Sequence, residues 1–172
     1  LMSFAFADSA SNLKALSAKL PQQEQAVVRA TPASTKTVTD LPFAHLHTLS
    51  QFSVLQSTIR VKDLAETADR LGMPAVALTD LGNLMGVFHF VKSVKQVNAQ
   101  RAEDDHRPPL KPIVGITLNV CENHQDRSRR DDGYQVVFLA KNKAGYQNLS
   151  KLSSLAYTQG FYYVPRVDRQ LI

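Results

Sequence analysis

Two histidines, His45 and His47, are separated by one residue in a short apolar segment. In a β-strand, residues two apart point to the same face, so both imidazoles could reach one metal ion. This spacing is common by chance, and a structural or surface role is the simpler interpretation. The other histidines are poor additional ligands, because His89 lies in a predicted helix while His106 and His124 lie in polar loops.

Asp80 is the second candidate, because it directly follows a predicted apolar strand at residues 74–79. A carboxylate there could act as an acid or as a metal ligand. The favoured interpretation is that Asp80 caps the turn or helix that follows, where its oxygens would accept backbone N–H groups. Asn83 could fill the same capping role. An active metal site in this chain would therefore use His45, His47 and Asp80.

Several other chemistries are excluded or weakly supported. Residues 80–86 contain two glycines and no lysine, which does not match a nucleotide-binding loop. The chain also lacks a Gly-x-Ser-x-Gly nucleophile motif. Tyr162 and Tyr163, close to Arg166, could stack on a nucleic-acid base, but packing is the favoured role. A net charge of +5 suits contact with polyanions and equally suits lysines on solvated surfaces.

Strand-like and helix-like segments alternate from residue 41 onward. Apolar spacing predicts strands at 43–46, 74–79, 113–120 and 134–140, and helices at 61–71, from Leu84 to Val94, and from Tyr146 to Leu155. This order predicts an α/β fold with parallel strands and crossover helices, whose functional residues lie at the carboxyl ends of strands. Four or five strands are too few to close a barrel, so we expect a partial β/α barrel.

Residues 1–40 differ in composition and are predicted to be a linker or helical tail. Residues 30–40 are rich in Ala, Thr, Ser and Pro, and Leu13, Leu16 and Leu20 have helical spacing before Pro21. We therefore divide the chain into 1–40 and 41–172. The single cysteine, Cys121, indicates a reducing, cytoplasmic compartment. No apolar run approaches the roughly 18 residues of a membrane span.

Five blocks of sequence carry a resemblance to a known family. They are Phe43–His47 with Gln51–Leu55, Leu71–Asp80 with Gly82 and Asn83, Lys111–Gly115, Leu139–Asn142 with Gly145 and Tyr146, and Ser154–Tyr157 with Gly160–Tyr163 and Pro165–Asp168. In this order, residues 41–172 resemble the N-terminal portion of the PHP (polymerase and histidinol phosphatase) domain of bacterial DNA polymerase III alpha subunits. The resemblance implies a truncated β/α barrel, and we expect the domain to continue past residue 172.

The family's multinuclear metal site is implied to be largely lost in this chain. By the resemblance, six ligand positions of the family fall on His47, Leu49, Gln56, Leu81, Thr117 and Gln135. Leucine has no lone pair, and neutral Thr or Gln oxygens lack the charge that holds a cation cluster. We therefore expect no catalytic, cofactor-binding or metal-binding residue in this segment.

The resemblance implies a scaffold within a larger enzyme. The parent protein would carry out template-directed DNA synthesis with Mg²⁺ at its polymerase site, and this segment would dock the proofreading exonuclease. Implied partners are the remainder of the polymerase chain, DNA, and an exonuclease that is either separate or fused upstream through residues 1–40. The alternatives are an active metal-dependent phosphoesterase or 3'-5' exonuclease, and a nucleic-acid-binding module that acts through positive charge.

Overall fold

A computed structural model describes residues 42–104 and 108–172. The described residues form three helices and four strands. In chain order these are α1 (Val61–Arg70), β1 (Ala75–Leu78), α2 (Val87–Asp104), β2 (Lys111–Val120), β3 (Tyr134–Leu139), α3 (Lys143–Thr158) and β4 (Arg166–Val167). The predicted linker or helical tail at 1–40 lies outside the described residues.

The helices follow from the spacing of their apolar residues. In α1, the buried residues Val61, Leu64, Ala65 and Ala68 share one face, but Leu71, predicted to lie on that face, follows the end of the helix and is 62% exposed. The helix ends before Gly72, whose φ of 67° reverses the chain at little steric cost. The second helix begins at Val87 rather than at Leu84, because residues 81–86 form a turn.

The third helix is held at its start by a side-chain cap. Asn142 accepts a hydrogen bond of 2.9 Å from the backbone N–H of Gly145. The helix buries Leu149, Leu152 and Ala156. Its buried face is therefore rotated slightly from the predicted one, which leaves Tyr146 40% exposed.

The sheet contains the predicted parallel pairs and one antiparallel pair. β1 pairs in parallel with β2, with Ala75 opposite Lys111, and β2 pairs in parallel with β4, with Asn119 opposite Arg166. Crossover helices α2 and α3 lead into β2 and β4. β3 instead runs antiparallel to β2, because a loop without a helix connects these two strands. The described sheet is open, as expected for a partial barrel.

The segment before α1 lies along the free edge of β1. His45 forms an isolated parallel bridge with Val76, and its carbonyl accepts the N–H of Ala77 at 2.8 Å. Farther along, the carbonyl of Thr48 accepts the N–H of Thr79 at 2.9 Å. The predicted first strand is therefore reduced to a short, irregular edge segment.

The two faces of the sheet differ in character. Val76 and Leu78 pack against α1 and α2 in one apolar cluster, and Ile116 and Leu118 pack against α3 in another. Because side chains alternate along a strand, Ala77, Thr79, Gly115 and Thr117 lie on the opposite face. This inner face is tightly packed, since a Cβ on Gly115 would lie 2.9 Å from Cγ2 of Thr79.

Candidate functional site

Hydroxyl groups organise the carboxyl ends of the inner strands. The hydroxyl of Thr79 lies 2.9 Å from Nδ1 of His47 and accepts the backbone N–H of Thr48 at 3.0 Å. The carbonyl of Thr79 accepts the hydroxyl of Thr117 at 2.8 Å. Thr79 and Thr117 are both buried. This position at the mouth of the partial barrel is where the predicted functional residues were expected to converge.

The structure brings some of the six implied ligand positions together and separates others. Leu81 and Thr117 are paired in a parallel bridge, and the carbonyl of Thr117 accepts the N–H of Gly82 at 2.8 Å. His47 joins them through Thr79. Leu49, two residues after His47, is half-buried. Gln56 is exposed in the loop that follows.

Gln135 lies on β3, where it is exposed and opposite Asn119 of β2. It is therefore two positions farther along β2 than Thr117, whose partner on β3 is Val137. Gln135 and Thr117 are therefore not paired with each other in the sheet.

These side chains do not fit a cation cluster. Leu49 and Leu81 offer no donor atom, and the hydroxyl oxygen of Thr117 is neutral and lacks the charge that holds a cation cluster. Within residues 42–104 and 108–172, no group of three or more His, Cys, Asp or Glu side chains is placed to hold a metal ion. The described side chains of this set make structural contacts between the strand ends.

The alternative ligands His45, His47 and Asp80 are not brought together as a ligand set. His45 and His47 both line a groove of about 480 Å³ beside α1. The ring of His45 packs edge-on against Phe43, with the ring centroids 4.8 Å apart. Asp80 is 1% exposed, and both of its carboxylate oxygens are engaged by serine residues.

The expected capping role of Asp80 is wrong. Its carboxylate accepts the N–H and hydroxyl of Ser50 at 2.6 and 2.7 Å, and the hydroxyl of Ser53 at 2.8 Å. Asn83 instead stabilises the local turn, because its side-chain oxygen accepts the N–H of Met85 at 3.1 Å. Asp80 therefore anchors a loop that is distant in sequence. The side-chain hydrogen bond within the turn after β1 is made by Asn83.

A second polar cluster surrounds β4 and was missed in the sequence. Arg166 is fully buried, and its guanidinium donates at 2.9 to 3.1 Å to the carbonyl groups of Gly160, Asp131, His124 and Asp126. Burial makes Arg166 unavailable for contact with a nucleic-acid base. Tyr163 has a different partner, since Arg130 lies 4.9 Å from the centre of its ring.

His124 and Asp168 form a buried pair in the same cluster. Nδ1 of His124 donates to the Asp168 carboxylate at 2.6 Å, and the His124 N–H donates to the same oxygen at 3.2 Å. Burial acts to raise the pKa of the Asp168 carboxyl, but these hydrogen bonds outweigh it, so the pKa lies below its ordinary value. Nε2 of His124 has no partner among the described residues.

Comparison with known proteins identifies the family. A sequence profile of the PHP domain matches residues 45–172. The chain is 37% identical to the DNA polymerase III subunit alpha of Borreliella burgdorferi over 131 residues. This match covers 74% of this chain and 10% of that protein.

Two further relatives have the same name. The subunit of Chlamydia trachomatis is 42% identical over 131 residues, covering 74% of this chain and 10% of that protein. The subunit of Treponema pallidum is 42% identical over 136 residues, covering 77% and 11%. The chain thus spans about a tenth of the length of these relatives.

In the described part, no helix has the length and apolar character needed to cross a membrane. The chain belongs to the PHP domain family, and its PHP segment is similar to that of DNA polymerase III alpha subunits.

Proposed function

We propose that this chain is the N-terminal portion of the PHP domain in a replicative DNA polymerase III alpha subunit. The support is the match over residues 45–172 and the shared name of relatives at 37 to 42% identity. In this proposal the whole subunit performs template-directed DNA synthesis in the cytoplasm. Its Mg²⁺-dependent polymerase site lies elsewhere in the polypeptide.

Within that subunit, the proposed role of the segment is a metal-free scaffold and docking module. The observation that carries this role is the hydrogen bonding of Thr79 and Thr117 at the mouth, where Thr117 donates to a carbonyl at 2.8 Å. A mouth in which the hydroxyls of Thr79 and Thr117 are already hydrogen-bonded needs no cation to offset clustered carboxylates. Leu49 and Leu81, which occupy two of the implied ligand positions at the mouth, would add apolar contacts in place of metal ligands.

The proposed partners follow from this role. The remainder of the polymerase chain would complete the barrel beside the open edge at His45. The proofreading exonuclease would dock on the segment as a separate protein or be joined through residues 1–40. DNA would be bound by the whole subunit.

The alternative function is an active metal-dependent phosphoesterase or 3'-5' exonuclease. The observation in its favour is that His45 and His47 line one groove. Against it stands Asp80, whose oxygens already accept three hydrogen bonds from Ser50 and Ser53. This function would require donors from outside the described residues.

The test is exonuclease binding by the full-length subunit with and without a chelator. We expect the dissociation constant, measured by calorimetry, to be unchanged by removal of Zn²⁺, Mn²⁺ and Fe²⁺, because no cation would hold the docking surface in shape. The same samples should not hydrolyse p-nitrophenyl phosphate. Loss of binding on chelation, or Mn²⁺-stimulated hydrolysis that His47→Ala abolishes, would favour the alternative.

A further inference from the structure

Three exposed aromatic side chains lie at the end of α3 and in the segment that leads into β4. The rings of Tyr157 and Phe161 stack, with the ring centroids 6.3 Å apart and an angle of 15° between the planes. Tyr162 is half-buried, with the guanidinium of Arg166 5.4 Å from the centre of its ring. Tyr163 is 62% exposed and meets Tyr162 edge-on. Tyr162 therefore packs against the fold, whereas Tyr157, Phe161 and Tyr163 present their rings to solvent.

The backbone holds the Tyr163 ring at the surface. Tyr163 has a φ of 63°, a left-handed conformation that is costly for a bulky residue. The N–H of Tyr162 donates to the carbonyl of Val164 at 3.2 Å, which closes a tight turn around Tyr163. Backbone strain of this kind is concentrated at functional sites, where the rest of the structure maintains it. The turn therefore indicates a role for the exposed ring beyond packing.

Arginine side chains adjoin this aromatic surface. The guanidinium of Arg130 lies 4.9 Å from the centre of the Tyr163 ring. Arg130 also lines a cleft of about 550 Å³, together with Arg129, Arg169 and Tyr134. Tyr134, at the start of β3, is 84% exposed. We refer to the exposed rings and the two arginines beside them as the aromatic strip, which consists of Tyr134, Tyr157, Phe161, Tyr163, Arg130 and Arg169.

The exposed side-chain charges of residues 134–172 are all positive. This range contains five basic residues and one acidic residue. The acidic residue, Asp168, is buried in its pair with His124, and the basic residue Arg166 is buried as well. The exposed basic residues are Lys141, Lys143, Lys151 and Arg169. A surface that combines aromatic rings with exposed charges of this one sign is complementary to a polyanion.

The carboxylates beside the arginines of the cleft are held only by exposed ion pairs. Arg130 pairs with Asp132 at 2.7 Å, and Arg129 pairs with Glu122 at 3.4 Å. Exposed ion pairs of this kind contribute little to stability. A phosphate group can therefore replace either carboxylate at a small cost, and a guanidinium can hold it with two parallel hydrogen bonds.

We propose that the aromatic strip binds single-stranded DNA. Bases stack on Tyr157, Phe161 and Tyr163, and the guanidinium groups of Arg130 and Arg169 contact the phosphates. Stacking on exposed rings requires unpaired bases, and this requirement favours a single strand over a duplex. The phosphates of a strand complement exposed charges of one sign, which a protein partner does not require. The inference deepens the proposed function, on which it rests for the choice of DNA.

The test is photo-crosslinking of DNA to the full-length subunit. A primer-template whose single-stranded overhang carries 5-iodouracil is irradiated in the complex, and the crosslinked residues are mapped by mass spectrometry. We expect crosslinks to Tyr157, Phe161 and Tyr163. Tyr163→Ala should lower the yield at the other two residues about fivefold, because one stacking contact is lost. The matched control is Phe43→Ala, at a residue that is 61% exposed in the segment before α1, and its yield should equal that of wild type.

Two results would overturn the proposal. The first is a wild-type subunit without crosslinks in the strip, or with equal yields in Tyr163→Ala and Phe43→Ala. The second is loss of exonuclease binding in Tyr163→Ala with unchanged DNA crosslinking, which would make the strip a protein interface instead.

A second variant covers the case in which Tyr163→Ala does not fold. Arg169→Gln changes an exposed side chain and should lower the crosslink yield about threefold, because one phosphate contact is lost. An unchanged yield in Arg169→Gln would contradict the proposal.

Crosslinking does not depend on catalysis, so the two proposals can fail separately. A subunit that extends primers without crosslinks in the strip rejects the strip alone. A subunit that crosslinks at the strip but extends no primer supports the strip and rejects the proposed polymerase function.

Discussion

The carboxylate of Asp80 accepts the backbone N–H of Ser50 at 2.6 Å, across 30 residues of sequence. The same carboxylate accepts the hydroxyls of Ser50 and Ser53. The end of β1 is thereby fixed to the loop that precedes α1. Asp80 thus has a structural role at a position where a strand-end carboxylate in a barrel could have been catalytic.

Replacing Asp80 should destabilise the fold. Asp80→Ala would leave the buried donors of Ser50 and Ser53 without an acceptor, which should lower the free energy of unfolding by about 3 kcal/mol. Urea denaturation measures this change. The matched control is Asp63→Ala, whose exposed ion pair with Arg60 should contribute less than about 1 kcal/mol. Equal stability of Asp80→Ala and wild type would contradict the anchoring role.

The guanidinium of Arg166 should be equally important for stability. Arg166→Met keeps most of the volume but removes the donor to two buried and two partly buried carbonyl groups, at a cost of about 3 kcal/mol. The control is Arg169→Met, at an exposed arginine, with an expected change below about 0.5 kcal/mol. A nucleic-acid role for Arg166 would show the reverse pattern, namely weaker DNA binding with unchanged stability.

Acid should weaken the fold through the pair formed by His124 and Asp168. Because the pKa of Asp168 is lowered in the folded state, its contribution is fully present above the unfolded-state pKa. That contribution is lost as the pH falls through the folded-state pKa. Asp168→Asn and His124→Gln should both flatten the dependence of unfolding free energy on pH in this acidic range. Denaturant titrations at several pH values between neutral and acidic measure this dependence. If both variants kept the wild-type slope of unfolding free energy against pH, the result would be inconsistent with a stabilising pair.

Local patterns in the sequence were sufficient for much of the fold. Leu64 and Ala68 share a helical face with Gly72 just beyond the helix end, and both features are local. The direction of β3 was not predictable from its own residues, because an apolar strand has the same pattern in parallel and antiparallel pairs. The direction follows from the connection, which here lacks a crossover helix.

The polar contacts were less predictable because they join distant residues. Asp80 has a polar turn directly after it, which suggested a cap, while its actual partner Ser50 lies 30 residues earlier. The sequence around Arg166 carries no signal of burial, since charged residues usually lie at the surface. Its burial depends on carbonyl groups from the loop at residues 124–131, which approach only in the folded chain.

Metal content distinguishes a metal-free scaffold from a metal-dependent enzyme. The full-length subunit, purified without chelator and incubated with Zn²⁺, Mn²⁺ and Fe²⁺, would be separated from free metal and measured by inductively coupled plasma mass spectrometry. His47→Ala is the control, because His47 is the one implied ligand position of the six that holds a histidine. A metal-free scaffold should contain substoichiometric amounts of these metals, with no change in His47→Ala. Two or more ions per chain that are lost in His47→Ala would contradict it.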